Sequence, residues 1–156
     1  MESKMKQNNN IRSFNRSLPM SLLRAREAVM KNFIPHLRSY GLSPQQWRVL
    51  RALYESEGLK MTEISNSCFL LMPSLSRIVQ NLVSRELVQR RVSPKDQRQA
   101  IINLTEKGVV LFKLMSVESE SRYAHITQTF GYGKLELLYE LLDELVQKLD
   151  VVEPKE

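Results

Sequence analysis

A polar hairpin directly behind an amphipathic helix constrains this chain more than any other feature. The hairpin is LVQRRVSPKDQRQAIINL, residues 87–104. Two short runs with partial alternation and β-branched content flank a Pro-Lys-Asp-Gln tip, which is a turn signal. A ribbon this small and polar is no core, so its charge faces solvent or a partner. The helix ahead of it, residues 73–86, is opened by Pro73 and Ser74 and keeps Leu75, Ile78, Val79 and Leu82 on one face. Before that comes a shorter helical stretch, TEISNSCF, with Thr62 as its expected cap. Two closely joined helices, the second amphipathic with small polar and basic residues at its start, predict a helix-turn-helix. The hairpin then becomes its wing. The expected fold is mainly α with a small β-hairpin wing: a winged helix-turn-helix whose terminal helices form a dimerisation domain.

The flanking segments are helical. Leu22, Val29, Phe33, Leu37 and Tyr40 fall at three- and four-residue spacing from about Leu18, with a kink or interruption expected at Pro35. Ser43 and Pro44 open the next helix through Trp47, Leu50, Leu53 and Tyr54, stopping near Gly58. Thr105 begins a long helix to Phe130, punctuated by GYG at 131–133. On the last helix Leu135, Leu138, Leu142, Leu145, Leu149 and Val152 repeat at 3-4-3-4-3 spacing, an a/d seam. That seam packs either on the chain's own first helix or on a second subunit. Residues 1–17, polar and asparagine-rich, read as a flexible arm, and 18–156 as a single winged-helix domain. Within it the dimerisation helices are expected at about 18–40 and 105–152, and the DNA-binding winged helix at about 43–104.

Charge is distributed unevenly. Between Arg77 and Arg98 six basic residues face two acidic ones, whereas residues 135–156 hold seven acids against two lysines. A chain basic in its middle and acidic at its end offers one face to a polyanion and keeps another off it. One cysteine, Cys68, excludes an internal disulfide and a multi-cysteine zinc site. His36 and His125 are too few and too far apart for a metal site, and no cofactor motif is present. No P-loop, nucleophile elbow or zinc-protease motif appears, so an enzyme has no positive support. There is no membrane-length apolar run and no signal-peptide core, which suits a cytoplasmic location.

A winged helix reads duplex DNA by placing its second short helix in the major groove. Ser74 and Ser76 allow close approach there, and Arg77 and Gln80 have the reach and donors for guanine or adenine edges. Arg90, Arg91, Lys95 and Arg98 on the wing suit the neighbouring backbone or the minor groove. Asp96 and Arg98, two apart on an extended strand, would share a side, letting the carboxylate hold the guanidinium.

The segments LLRAREAVMKNFIPHL, LSPQQWRVLRAL, LMPSLSRIVQNLVSRELV and SPKDQRQAIINLTEKG resemble the MarR family of bacterial repressors. They are most similar to its branch controlling catabolism of aromatic acids such as homoprotocatechuate and hydroxycinnamates. The resemblance implies a homodimer with interleaved terminal helices and one winged helix per half-site of a palindromic double-stranded operator. It carries DNA contact onto Ser74, Ser76, Arg77, Asp96 and Arg98. Met72 and Gln99 stand where relatives often have basic residues. The resemblance also implies a small aromatic carboxylate effector, bound where dimer helices meet the winged domain, that lowers DNA affinity.

The residues themselves offer a place for it. Arg26 lies in the apolar stripe between Leu22 and Val29 and needs an anionic partner, either a ligand or a protein carboxylate. Arg24 is one position off that stripe, Trp47 is an aromatic wall or ordinary core, and Met30 is an adaptable neighbour. Two rivals stand beside this reading. One is a DNA-binding regulator without a small-molecule effector, constitutive or oxidised at Cys68. The other is a winged helix whose basic wing meets an acidic protein.

Overall fold

The computed structural model describes residues 11–150 and is mainly helical. Helix α1 (Leu18–Met30) and helix α2 (Ile34–Ser39) divide the first expected helix in two. The break falls just ahead of Pro35, in the first turn of α2, where a missing N–H costs nothing. Of the arm expected over 1–17, residues 1–10 lie outside the described residues. The remainder is ordered at Phe14–Arg16, a 3-10 turn whose Asn15 carbonyl accepts from Arg24 Nη2 at 3.2 Å.

Helix α3 (Pro44–Tyr54) starts on a reciprocal cap, with Gln46 N donating to Ser43 Oγ and Ser43 N donating to Gln46 Oε1. A two-residue strand, β1 (Leu59–Lys60), precedes helix α4 (Met61–Cys68). Thr62 is therefore inside α4 rather than its cap; Glu63 instead reaches back to the Lys60 N–H at 2.7 Å. Helix α5 (Met72–Ser84) follows a tight turn through Phe69, whose φ of 52° is left-handed. Strands β2 (Val88–Val92) and β3 (Ala100–Leu104) form the wing, paired from Val88↔Leu104 to Val92↔Ala100. The sheet has three strands in the order β1-β3-β2, so the hairpin read from sequence gains a third strand along the outer edge of β3.

The core is built by the winged helix. Leu50 and Leu53 from α3, Ile64 and Cys68 from α4, Leu75, Val79 and Leu82 from α5, and Ile102 from β3 are almost completely buried together. Helix α6 (Glu106–Phe130) joins it through Phe112 and Met115. Its start is locked to the wing: Thr105 caps Gly108, and Thr105 N and Oγ1 donate to the carbonyls of Leu87 and Glu86. Gly131, at φ 106°, ends α6 and leads into helix α7 (Tyr132–Leu149).

Neither α1 nor α7 buries a single residue. Leu135, Leu142 and Leu145 of the expected seam are half-buried, while Leu138 and Leu149 are exposed and Val152 lies outside the described residues. Leu22 and Val29 on α1 are exposed too, although Phe33 and Leu37 on the same stripe are buried. The described residues thus form a packed winged helix and a helical layer whose apolar side is left without cover among them.

Candidate functional site

Helix α5 presents the recognition surface. Its Leu75, Val79 and Leu82 are fully buried, fixing the helix in rotation as well as position. Ser74, Ser76, Arg77 and Gln80 are consequently exposed, with Arg77 and Gln80 opposite the buried stripe. Asn81, on the flank, instead accepts from Gln46 Nε2 at 2.8 Å and ties α5 to α3. Leu71 at the N-cap supplies no side-chain acceptor, which leaves first-turn amides of α5 for an outside oxygen.

The wing tip is closed by its own backbone. Ser93 N donates to Gln99 O at 2.9 Å, Gln99 N to Asp96 O at 3.1 Å, and Lys95 N to Ser93 Oγ at 3.3 Å. Asp96 Oδ1 accepts the backbone N–H of Arg98 at 3.0 Å. This corrects the expected pairing. Residues 94–99 form a turn, not an extended strand, so the Asp96 carboxylate orders the peptide and not the guanidinium. Among the described residues no ion pair engages Arg98. It lines a hollow of about 360 Å³ with Lys60, Met61, Thr62, Gln99 and Ala100, where the tip-side end of β3 meets the start of α4. Lys60 was not among the residues singled out from sequence; strand β1, which holds it there, is too short to show alternation.

The wing cations divide into two groups. Arg90, Lys95 and Arg98 are exposed. Arg91 is exposed but committed, donating to Asn103 Oδ1 at 3.0 Å and to the Glu57 carbonyl at 3.4 Å. Arg85, counted in the basic window, caps the end of α2 through the carbonyls of Gly41 and Tyr40.

The four residues expected around an effector are not brought together. Arg26 is not a buried cation: about half its side chain is exposed, and it pairs with Glu27 at 3.2 Å. Arg24 is used by Asn15, and Met30 is half-buried. Trp47 stacks on Phe112 with centroids 4.9 Å apart, and Tyr54 stacks on the same ring at 4.2 Å. Another arginine, Arg51, follows one turn beyond Trp47 on α3. Its Nη1 lies 3.4 Å from the Tyr123 hydroxyl, and Tyr123 in turn packs on Phe33 at 4.9 Å. Its other polar contact is a long one, Nε to Glu55 at 3.6 Å. Sequence reading missed Arg51 because its partner is 72 residues away.

Deeper in the same junction, His36 is buried, with Nε2 at 3.2 Å from the Met115 carbonyl and Nδ1 at 2.6 Å from Glu118 Oε2. The second approach is close but outside hydrogen-bond geometry. Arg122 Nη1 donates to the Asn32 carbonyl at 2.9 Å. These contacts fasten the α1–α2 connection to α6. Cys68 is buried against α3, its thiol pointing at the Arg48 carbonyl. Burial raises its pKa, and the opposing pulls of the Ser67 hydroxyl and the Arg48 charge are not enough to cancel this.

A helix seated by its apolar face, with small and basic side chains outward and a pinned basic hairpin alongside, defines a winged helix-turn-helix protein. The chain belongs to the MarR family, whose description matches residues 40–99. It is 35% identical over 130 residues to the homoprotocatechuate degradative operon repressor of Escherichia coli, covering 83% of this chain and 88% of the repressor. The structure of NadR in complex with 4-hydroxyphenylacetate superposes with a TM-score of 0.76 at 36% identity, over 86% of this chain and 96% of NadR. The repressor CouR bound to a 23-mer DNA duplex superposes with a TM-score of 0.77 at 26% identity, over 94% of this chain and 99% of CouR. Among the described residues no helix is long and apolar enough to cross a membrane.

Proposed function

We propose that this protein is a transcriptional repressor that binds a palindromic operator as a homodimer and is released by a small aromatic carboxylate. The observation that carries this is the exposed face of α5 beside the basic wing. Arg77 and Gln80 reach base edges in the major groove, with Ser74 and Ser76 allowing close approach. Arg90 and Lys95 lie along the backbone, and Arg98 with Lys60 holds a phosphate beside the tip-side end of β3. Asp96 shapes the tip, and Arg91 props the wing through Asn103. The winged helix at about 43–104 is the DNA-binding part, and the helices at about 18–40 and 105–152 are the dimerisation part. Such a division leaves the apolar sides of α1 and α7 to be covered by the second copy.

For the effector, Arg51 replaces Arg26 as the carboxylate partner. A guanidinium donates two parallel hydrogen bonds to a carboxylate, and the Tyr123 hydroxyl adds a third donor. The aromatic ring of the effector then lies against Trp47. The 4-hydroxyphenylacetate bound by NadR has the same chemistry, an aryl ring carrying a carboxylate. Arg51 sits on α3 and Tyr123 on α6, so a ligand between them couples the winged helix to the dimerisation helices. Release requires only that the ligand favour one arrangement of those helices over the other. Ten-fold weaker DNA binding corresponds to about 1.4 kcal/mol of such preference. Oxidation of Cys68 is not needed, since a buried thiol with a raised pKa holds little thiolate. Titrating 4-hydroxyphenylacetate and other aromatic carboxylates into a protein–duplex complex tests the reading, with loss of binding expected for at least one compound.

A further inference from the structure

The leading edge of α5 carries an apolar patch that the DNA contacts above do not use. Leu71, at the N-cap, is 79% exposed, and Met72, the first helical residue, is 41% exposed. Their outward position is built in. The Ser65 hydroxyl donates to the Leu70 carbonyl at 2.6 Å, and Leu70 N donates to the Ser65 carbonyl at 3.1 Å. That clasp turns Leu70 onto the core and leaves Leu71 facing away. Phe69 stands behind them at the end of α4, off the helix that enters the groove, and is not part of the assignment.

We propose that Leu71 and Met72 read sequence, each taking up a thymine C5 methyl group in the major groove. This rests on the reading of α5 as the groove-entering helix. The first residues of such a helix are the ones that meet base edges. The floor of the major groove offers hydrogen-bond donors and acceptors at every base pair, and its only apolar group is the thymine methyl. An apolar side chain placed there gains from a methyl and, at any other pair, desolvates a polar edge with no hydrogen bond in return. The patch also adjoins the DNA face, since Ser76 follows Met72 by one helical turn on the same side. From Ile64 to Arg85 the chain has no acidic residue. A protein partner seated on this patch would have to displace the duplex.

The test starts from a duplex that the protein itself enriches from a random 26-base-pair pool. That duplex is remade with single thymines replaced by deoxyuridine, which removes the methyl and leaves the hydrogen-bonding edge intact. Affinities are then measured for the unaltered protein, Leu71→Ala and Met72→Ala, with circular dichroism to confirm that the variants are folded. At one or two positions per half-site, losing the methyl should weaken the unaltered protein by about four-fold. The variant lacking the contacting side chain should be indifferent to that same replacement. An enriched duplex whose every deoxyuridine form binds as well as the parent overturns the proposal while leaving the DNA reader in place. So does a methyl penalty that is equal in all three proteins. Failure to enrich any sequence overturns the reading of α5 itself, and the proposal with it.

Discussion

Arg77 and Arg98 carry the same charge but are placed to act differently. Arg77 stands on the outward face of a helix fixed by three fully buried side chains, so its donors return to one position relative to the groove. Arg77→Ala should lower affinity for the operator by about 5- to 100-fold while leaving random duplex almost unaffected. Equal loss on both would remove it as a base reader. Arg98 lies in the wing-tip turn, sharing a hollow with Lys60. Arg98→Ala should weaken all duplexes alike and flatten the plot of log affinity against log salt by about 0.9 per lost phosphate contact. At the effector region the contrast is between two other arginines. Arg51→Ala should abolish release by an aromatic carboxylate with operator binding retained, whereas Arg26→Ala should keep the response. The reverse outcome would return the carboxylate to α1. For Cys68 the sign follows from burial. The folded state disfavours the thiolate, so this group's contribution to stability is present below the ordinary thiol pKa and is lost as pH rises above it. Native protein should accordingly react slowly with iodoacetamide at neutral pH, and Cys68→Ser should retain every ligand response.

Elements were legible in the sequence where an apolar face repeats. The buried Leu75, Val79 and Leu82 are the stripe that marked α5, and Ser43-Pro44 and Thr105 mark true helix starts. What escaped has a physical reason in each case. Strand β1 has two residues, too few for alternation, and its partner Ile101–Ile102 is forty residues away. Asp96 was misjudged because its spacing from Arg98 has a different meaning in a turn than in a strand. Arg26 was expected to be buried, but a helical stripe implies burial only where something covers it, and no residue of α1 is buried among the described residues; of its two expected partners, the protein carboxylate is present as Glu27. The junction between wing and α6 shows how tightly the elements are joined. A Cβ on Gly108 would lie 2.1 Å from the Leu87 carbonyl oxygen, which is backbone and cannot swing aside. Gly108→Ala should cost about 1–3 kcal/mol, seen as a fall in melting temperature of roughly 3–10 °C. An unchanged melting curve would mean that Leu87 and the start of α6 are not held in close contact.

At the scale of the molecule, the exposed apolar side chains of α1 and α7 form the surface a second copy would cover. Leu137, Leu138, Leu141 and Val146 on α7, and Leu18, Leu22 and Leu23 on α1, are exposed in a single copy. A second copy covering them would hold two α5 helices at a fixed separation, as a palindromic operator requires. Leu141→Asp should leave the fold intact, since that side chain is 54% exposed, yet yield monomer in light scattering and weaken binding to a full operator. A variant that remained dimeric would move the interface elsewhere. The most direct test of the whole is fluorescence anisotropy on the duplex upstream of the protein's own gene, against a scrambled duplex of equal composition. The titration is run at two salt concentrations, with and without a panel of aromatic carboxylates including 4-hydroxyphenylacetate. A ligand-released repressor prefers its own duplex at both salts and loses that preference with at least one aromatic acid. Equal affinity for the two duplexes, or a preference that no aromatic acid disturbs, would contradict it.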